Sequence, residues 1–384
     1  MTTAAYTHKT ICLPSNTIAH NWTPTSSNAL RAILILQHGF GEYAERYMVS
    51  HARLISALTE RNIDVWALDL QGHGRSPGEK GRGVVDVERA VMEHVWLCGY
   101  IAGIHRGGDR GEVGGIEART EGTTERPTKN TVKDESSTKR EADVQHPPIF
   151  LFGHSLGGLV TAGSATTLLG AYRSPTTNTP DTVITTPAIP ITGLILTSPV
   201  FPFPGLTIME RLKSLALYLL AYPLAYLFPS REVPWPASPS GTLCGDSEEE
   251  RRVEKDEVMF HGQISWTVAA TAVGAVRRVW RGVRRGVWSS MDGNKNGKEV
   301  DVLVLHGRGD CWADWRGSSW FVEGIRKSRE GAGVGKGANV PEGKEGLGAK
   351  LVILDSPYHE LLNAGSSEGQ EVLRQLLEWI DERI

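Results

Sequence analysis

Cysteine is scarce in this chain: four in 384 residues, at Cys12, Cys98, Cys244 and Cys311. They are far apart, with no CxxC pair and no zinc-type spacing, and a chain this long has no need of a disulfide framework. A reducing compartment fits. An excess of one charge is also missing. Lys plus Arg number 41 against 44 Asp plus Glu, a formal net charge of -3, so no global field directs the chain to nucleic acid. Long apolar runs are absent too. A spanning helix needs about 18 apolar residues in a row, and the nearest approach, LALYLLAYPLAYLF at 215–228, contains Pro223. The opening MTTAAYTHKTICLPSN has no basic stretch leading into an apolar one, so no secretory signal is expected. These absences predict a cytoplasmic protein without a transmembrane helix, whose membrane contact, if any, is peripheral. The oligomeric state is left open.

What is present is a rhythm of short apolar runs and helical patterns. AILILQ (32–37), IDVWALD (63–69), PIFLFG (148–153), TGLILTSP (192–199), VDVLVLHG (300–307) and KLVILD (350–355) read as buried strands. Helical spacing follows most of them: a stretch in which His51, Leu54, Ile55 and Leu58 share a face, VERAVMEHVWLCGYI (87–101), LVTAGSATTLL after residue 158, and the closing GQEVLRQLLEWIDERI. Near-continuous β-branched strands alternating with helices predict an α/β doubly wound fold, a mostly parallel sheet covered on both faces.

Three stretches break the rhythm. Residues 105–146 and 327–349 have almost no large apolar side chains and are expected to be disordered or flexible insertions. Residues 200–262 are apolar and helical at first, then polar. In doubly wound sheets, ligands bind beyond the carboxyl ends of the strands. The 200–262 piece follows a strand, so it is expected to emerge at that edge as a cap, or lid. The organisation predicted is a core of 1–199, a cap of 200–262 and a second core part of 263–384. A second membrane candidate is VRRVWRGVRRGVW (276–288), where Val276, Val279, Val283 and Val287 share a face among arginines. A solvated helix packed on the sheet is the favoured reading over attachment to anionic lipid.

The chemistry centres on FLFGHSLGGLV (150–160). A strand, then Gly153-His154-Ser155-Leu156-Gly157, then a helix is the context in which G-x-S-x-G lifts a serine hydroxyl above a sheet edge. A serine nucleophile needs a base, and the base needs an orienting carboxylate. His359 stands a short loop beyond the last strand and is favoured as the base. His306 ends a strand but shares its loop with the acid candidate. His38 and His73 sit in Gly-rich turns and are assigned to organising them, and His154 points elsewhere. Asp310, just past the 300–307 strand, is favoured as the acid over Asp314, which suits an N-cap. The order Ser155, Asp310, His359 is that of the α/β-hydrolases. The oxyanion-hole donors expected are the backbone N–H groups of Leu156, next to the nucleophile, and of Phe40, in the loop after the first core strand. The chemistry calls for no metal and no cofactor.

Taken together, HGFGEYAERY (38–47), LDLQGHGRSPGEKGRG (68–83), GHSLGG (153–158), LTSPV (196–200), VLVLHGRGD (302–310) and YHELLN (358–363) resemble the monoacylglycerol lipase branch of the serine α/β-hydrolases. EKDEVMFHG (254–262) is similar to that family's segment between cap and core. The resemblance implies an α/β-hydrolase core with a mobile apolar cap, no metal, and hydrolysis of monoacylglycerols to glycerol and fatty acid. It also implies Ser155 as nucleophile, Asp310 as acid, His359 as base, and Phe40 and Leu156 as oxyanion donors. The partner implied is a lipid ester, with peripheral contact to a membrane or lipid droplet through the cap. Tyr43, Ala44 and Glu45 depart from the family's frequent His-Ser-Gly. A lysophospholipase, carboxylesterase, thioesterase or acyltransferase would use the same triad. A non-catalytic binding protein on this fold would show a broken triad or oxyanion loop, and neither is broken here.

Overall fold

The computed structural model describes residues 6–105, 147–173, 189–202, 208–234, 241–289, 299–331 and 348–384. Side-chain alternation along the strands divides the core into two layers. In β3 (Ala32–Gln37), Ile33 and Ile35 point to one face while Leu34 and Leu36 point to the other. The same period of two splits Leu151 from Phe150 and Phe152 in β5 (Ile149–His154), and Val302 and Val304 from Leu303 and Leu305 in β7 (Asp301–Gly307). Both faces are therefore apolar, and both must be covered. Burying each such side chain contributes about 1.5–3 kcal/mol.

Helices cover the two faces. On the first lie α2 (Val87–Ile104), α3 (Ser155–Arg173), α6 (Trp266–Arg284) and α7 (Trp315–Gly331), represented in the core by Val91, Leu159, Val279 and Phe321. On the second lie α1 (Leu54–Thr59) and α8 (Ser366–Asp381), through Leu54, Leu58, Val372 and Leu376. With β1 (Tyr6–Cys12), β2 (Ile18–Pro24), β4 (Ile63–Leu68), β6 (Ile191–Thr197) and β8 (Ala349–Leu354), the eight-stranded sheet has the order β1-β2-β4-β3-β5-β6-β7-β8, and β3 to β8 are its parallel part. From β3 the chain goes first to one side, to β4, and then to the other, to β5. The switch point of the sheet thus lies at the ends of β3 and β5, where a doubly wound sheet opens a crevice.

The expected strands and the α/β class are all present. Several details differ from the expectation. An antiparallel pair, β1 (Tyr6–Cys12) and β2 (Ile18–Pro24), extends the sheet beyond β4. Its polar residues, such as His8, His20 and Asn21, hide the strand pattern. The stretch after β3 is not one helix. It makes 3-10 turns at Ala44–Met48 and His51–Arg53, with His51, Ala52 and Arg53 all at positive φ, before α1 begins. Residues 327–331, expected in a flexible insertion, form the last turn of α7. Within that expected insertion, 332–347 lies outside the described residues, as does 106–146, and Ala349 already opens β8. The valine face at Val276, Val279 and Val283 turns inward to the first-face core, as expected, where α6 also packs on α2, α3, α7 and α4 (Ile208–Leu227), and Val287, just beyond the helix end, packs against the same core.

The inserted stretch after β6 has two parts of different character. α4 carries Pro223 in its interior, which removes one helical hydrogen bond. Its described side chains Leu219, Leu220, Tyr222, Tyr226 and Leu227 are exposed. The second part holds α5 (Ser247–Lys255), capped by Asp246, whose carboxylate accepts from the N–H groups of Glu248 and Glu249. Glu248, Glu249 and Glu250 open this helix and Arg252 and Lys255 close it, in keeping with its dipole. Among the described residues, no helix is long and apolar enough to cross a membrane.

Candidate active site

The turn from β5 into α3 is built by close approach. A Cβ on Gly157 would lie 2.2 Å from the carbonyl oxygen of His38, and one on Gly153 would lie 2.6 Å from Thr161 Oγ1. Only glycine fits either position. Between them Ser155 is held at φ +52°, a left-handed conformation that costs a non-glycine residue roughly 1 kcal/mol or more and persists where the surroundings impose it. Its carbonyl accepts the N–H of Val200 (3.1 Å), which pins the turn to the end of β6.

Strand ends bring the partners to this turn. His359, in the loop after β8, has Nε2 2.8 Å from Ser155 Oγ and Nδ1 2.7 Å from Asp310 Oδ2. Asp310 follows β7. Its Oδ1 accepts the N–H groups of Trp312 (2.8 Å) and Ala313 (3.1 Å). Burial pushes the Asp310 carboxyl up, but His359, His306 and these surroundings outweigh it and hold the group well below the usual carboxylate range. It is therefore ionised whenever the imidazole is needed as a base. All three side chains are nearly enclosed. The indole of Trp312, itself half-exposed, lies almost parallel to the His359 ring at 5.9 Å and 23° and donates to Thr242 Oγ1 (3.1 Å).

The alternatives take other positions. Asp314 is the N-cap of α7 and accepts the N–H of Arg316 (2.9 Å). His38 accepts the N–H of Leu70 at Nε2 (3.0 Å) while Nδ1 lies 2.7 Å from the Gly39 carbonyl, and His73 Nδ1 lies 3.0 Å from that of Gln71. Both organise turns. His306 is closer to the chemistry than its sequence context indicates. Its Nε2 is 3.3 Å from Asp310 Oδ2 and its Nδ1 is 2.8 Å from Ser318 Oγ, so it backs the acid. His154 Nδ1 faces the carbonyl and hydroxyl of Thr197, and its ring lies 5.0 Å from that of His359. Burial brings its pKa down to about 3, so it is neutral beneath the site.

The loop carrying Phe40 runs against the nucleophile: a Cβ on Gly39 would stand 3.1 Å from Ser155 Cβ. The N–H of Gly39 donates to Glu42 Oε2 (2.9 Å). Phe40 meets Phe260 and His73 edge-on at 5.7 and 5.4 Å, and the N–H of Phe260 donates to the Gly41 carbonyl (2.9 Å). Leu156 stands at the start of α3, where N–H groups have no acceptor within the helix.

Sequence reasoning missed a buried ionic cluster beside this loop. Arg46 donates from Nη1 to Glu42 and to Glu360 Oε1 (2.7 Å), and from Nη2 to Glu360 Oε2 (2.8 Å) and Glu249 Oε1 (3.0 Å). All four side chains are buried. Burial acts against the charges of Glu42 and Glu360. Glu42 is nevertheless held well below the usual range by His51 and Arg46, and Glu360 is lowered by Arg46. No signal in the sequence separates these charges from solvated ones, because the segments that carry them, HGFGEYAERY and YHELLN, are of mixed polarity. The departures at 43–45 also find partners: Tyr43 O–H donates to Asp256 Oδ2 (2.8 Å), the Ala44 N–H to Asp69 Oδ1 (2.8 Å), and Glu45 receives both arms of Arg75.

A doubly wound sheet with serine, aspartate and histidine meeting at the ends of β5, β7 and β8 defines a serine hydrolase of the α/β-hydrolase superfamily. The family model described as serine aminopeptidase, S33, matches residues 28–104 and 126–332, and the chain belongs to that family. The matched residues include Phe40, Ser155 and Asp310 and stop short of His359. Among solved structures, the chain is similar to a monoacylglycerol lipase from Paleococcus ferrophilus (20% identity, 99% of each chain, TM-score 0.57). It is also similar to a soluble variant of monoglyceride lipase from Saccharomyces cerevisiae bound to a substrate analogue (14% identity, 100% of this chain and 97% of that one, TM-score 0.59). A thermostable carboxyl esterase from Bacillus coagulans in complex with glycerol is a third (16% identity, 99% of each chain, TM-score 0.60). At these identities the likeness is one of fold.

Proposed function

We propose that the protein is a carboxylic ester hydrolase that cleaves monoacylglycerols to fatty acid and glycerol through an acyl-enzyme on Ser155. The observation that carries this is the continuous line Ser155 Oγ, His359, Asp310, at 2.8 and 2.7 Å. His359 takes the serine proton as Oγ attacks the ester carbonyl. The N–H groups of Phe40 and Leu156 receive the developing oxyanion. The alcohol leaves with the proton held by His359, and water, activated by the same imidazole, releases the acid. Asp310 keeps the imidazole in its working tautomer and stabilises the imidazolium. The step needs no metal or cofactor.

The monoacylglycerol assignment rests on the sequence motifs and on an apolar cap. Burying an acyl chain contributes about 0.8 kcal/mol per methylene, and the apolar α4 follows β6, on the edge where Ser155 lies. Its exposed Leu219, Leu220, Tyr222, Tyr226 and Leu227 suit a lid that also touches a membrane or lipid-droplet surface. Lysophospholipase, carboxylesterase and acyltransferase readings share the acyl-enzyme and differ in the acceptor or the leaving group. The name of the family raises an amino-terminal peptide as substrate. Such a substrate needs a carboxylate for its ammonium group, and the buried acids beside the oxyanion loop are engaged: Glu42 and Glu360 hold Arg46, and Asp69 holds the Ala44 N–H and faces His20.

The test is fatty-acid release from a monooleoylglycerol emulsion by the parent protein and by Ser155→Ala. Loss of the nucleophile is expected to lower kcat by about 10⁶. Release by neither protein, with Ser155 still labelled by a fluorophosphonate, would transfer the assignment to another ester.

A further inference from the structure

We infer that Arg46 is a positioning residue that locks the oxyanion loop and the His359 loop into one register, with the inserted stretch 241–262 as the third member of the clamp. This rests on the hydrolase reading of Ser155 given above. Three carboxylates from three separate segments converge on one guanidinium. Glu42 comes from the loop after β3, Glu360 is the neighbour of His359 after β8, and Glu249 belongs to α5. Each also holds something else. Glu42 accepts from Gly39 N–H (2.9 Å) and Tyr47 O–H (3.1 Å) and faces His51 Nε2 (2.7 Å). Glu360 accepts from Asn363 Nδ2 (2.6 Å), and Glu249 from the hydroxyl of Ser50. A path runs from Gly39, the residue before Phe40, through its N–H to Glu42, Arg46 and Glu360, the residue after His359.

A second set of contacts follows the same course independently. The carbonyl of Leu243 accepts the N–H groups of His359 (3.0 Å) and Glu360 (2.8 Å), while the N–H of Phe260 donates to Gly41 (2.9 Å). Arg82 Nη2 donates to the carbonyls of Glu257, Val258 and Met259 at 2.9–3.0 Å. One strap of chain is therefore bonded both to the base loop and to the oxyanion loop. Ion clusters this buried are poor sources of net stability, because desolvation offsets the attraction and apolar side chains would serve as well. A forked guanidinium does supply direction, and direction is what two loops facing one serine require: a misplacement of about 1 Å costs roughly 10²-fold in rate.

The experiment uses the full chain as Glu42→Gln, Arg46→Lys and Glu249→Gln. Hydrolysis of p-nitrophenyl butyrate is measured with active sites counted by fluorophosphonate titration, alongside thermal melts. Glu42→Gln and Arg46→Lys are expected to lower kcat per titrated site by about ten- to a hundredfold, with KM within about threefold of the parent. Glu249→Gln leaves the Glu42–Arg46–Glu360 bridge intact and is expected to lose less, about threefold. A merely structural role would reduce the melting temperature and the titratable fraction but leave kcat per site at the parental value. That result in folded Glu42→Gln overturns the inference, and Glu42→Gln decides the matter if Arg46→Lys fails to fold. A parent that is phosphonylated but does not hydrolyse the ester would sink the substrate reading alone. The rate of phosphonylation, which draws on the same oxyanion donors, should then fall by the same factors in the variants, and unchanged rates overturn the inference. A parent that is not phosphonylated overturns both.

Discussion

Ser155 sits in a conformation that serine adopts only under constraint, and its neighbours supply that constraint. Gly153 and Gly157 leave no room for side chains, and Val200 ties down the Ser155 carbonyl. The same logic applies to Asp310. Two backbone N–H groups hold one oxygen, and His359, with His306 behind it, holds the other. Asp310→Asn keeps the shape but offers the imidazole a donor where it needs an acceptor. Its kcat on a chromogenic ester, measured per titrated active site, is expected to fall about 10⁴-fold, as a wrong histidine tautomer does in a comparable triad. Activity within tenfold of the parent would remove Asp310 from the mechanism.

Elements differ in how firmly they are attached. α5 and the strap around it are bonded to the catalytic loops through Glu249, Leu243 and Phe260. α4, by contrast, packs on α6 and turns apolar side chains to solvent, Tyr226 being 87% exposed. The proposed lid thus narrows to the first half of the inserted stretch. Replacing both Tyr226 and Leu227 by serine removes apolar surface without touching the triad. Hydrolysis of an emulsified monoacylglycerol is expected to drop about tenfold or more, given about 1.5 kcal/mol or more per apolar side chain transferred, while a dissolved short-chain ester is cleaved at the parental rate. Equal loss on both substrates would mean that α4 supports the core rather than an interface.

The whole molecule carries several titratable groups that burial keeps from changing state. Burial lowers the pKa of His73 and His94 to about 4 and that of His154 to about 3. Below pH 6.5 the unfolded chain binds protons that the folded chain does not, so stability falls as pH drops from about 6.5 toward 4. The loss is up to about 1.4 kcal/mol per pH unit for each histidine. Glu42, Asp310 and Glu360 are also lowered. Their contribution is present above the unfolded carboxyl pKa, near 4, and is lost as pH falls through and below that value. Thermal melts from pH 7 to 3.5 are expected to show a decline that starts near 6.5. A flat melting temperature down to pH 4.5 would contradict the neutral buried histidines.

Much of this was readable without coordinates, for reasons that can be named. Continuous apolar runs such as Ile33–Leu36 and Val302–Leu305 are buried on both faces, and only a covered sheet accommodates that pattern. Chain order together with the rule that loops leave a parallel sheet at its carboxyl edge brings Ser155, Asp310 and His359 to one side. The N-cap at Asp314 and the turn roles of His38 and His73 are local, and short-range pattern suffices for them. Convergence from distant segments is another matter. Nothing between residues 46 and 360 announces that Arg46 meets Glu42, Glu249 and Glu360, because a buried charge and a solvated one look alike in sequence. β1 and β2 are hidden because their polar side chains, such as His8, His20 and Asn21, break the apolar pattern, and His306, which shares its loop with the acid candidate, shows its contact with Asp310 only when that turn closes. The layers, the chain order of the triad and the edge on which chemistry occurs follow from periodicity and connectivity, which are written in the order of the residues. Which charges are buried together, and which half of the inserted stretch is bonded to the catalytic loops, emerge with folding, because they depend on distances between residues far apart in the chain.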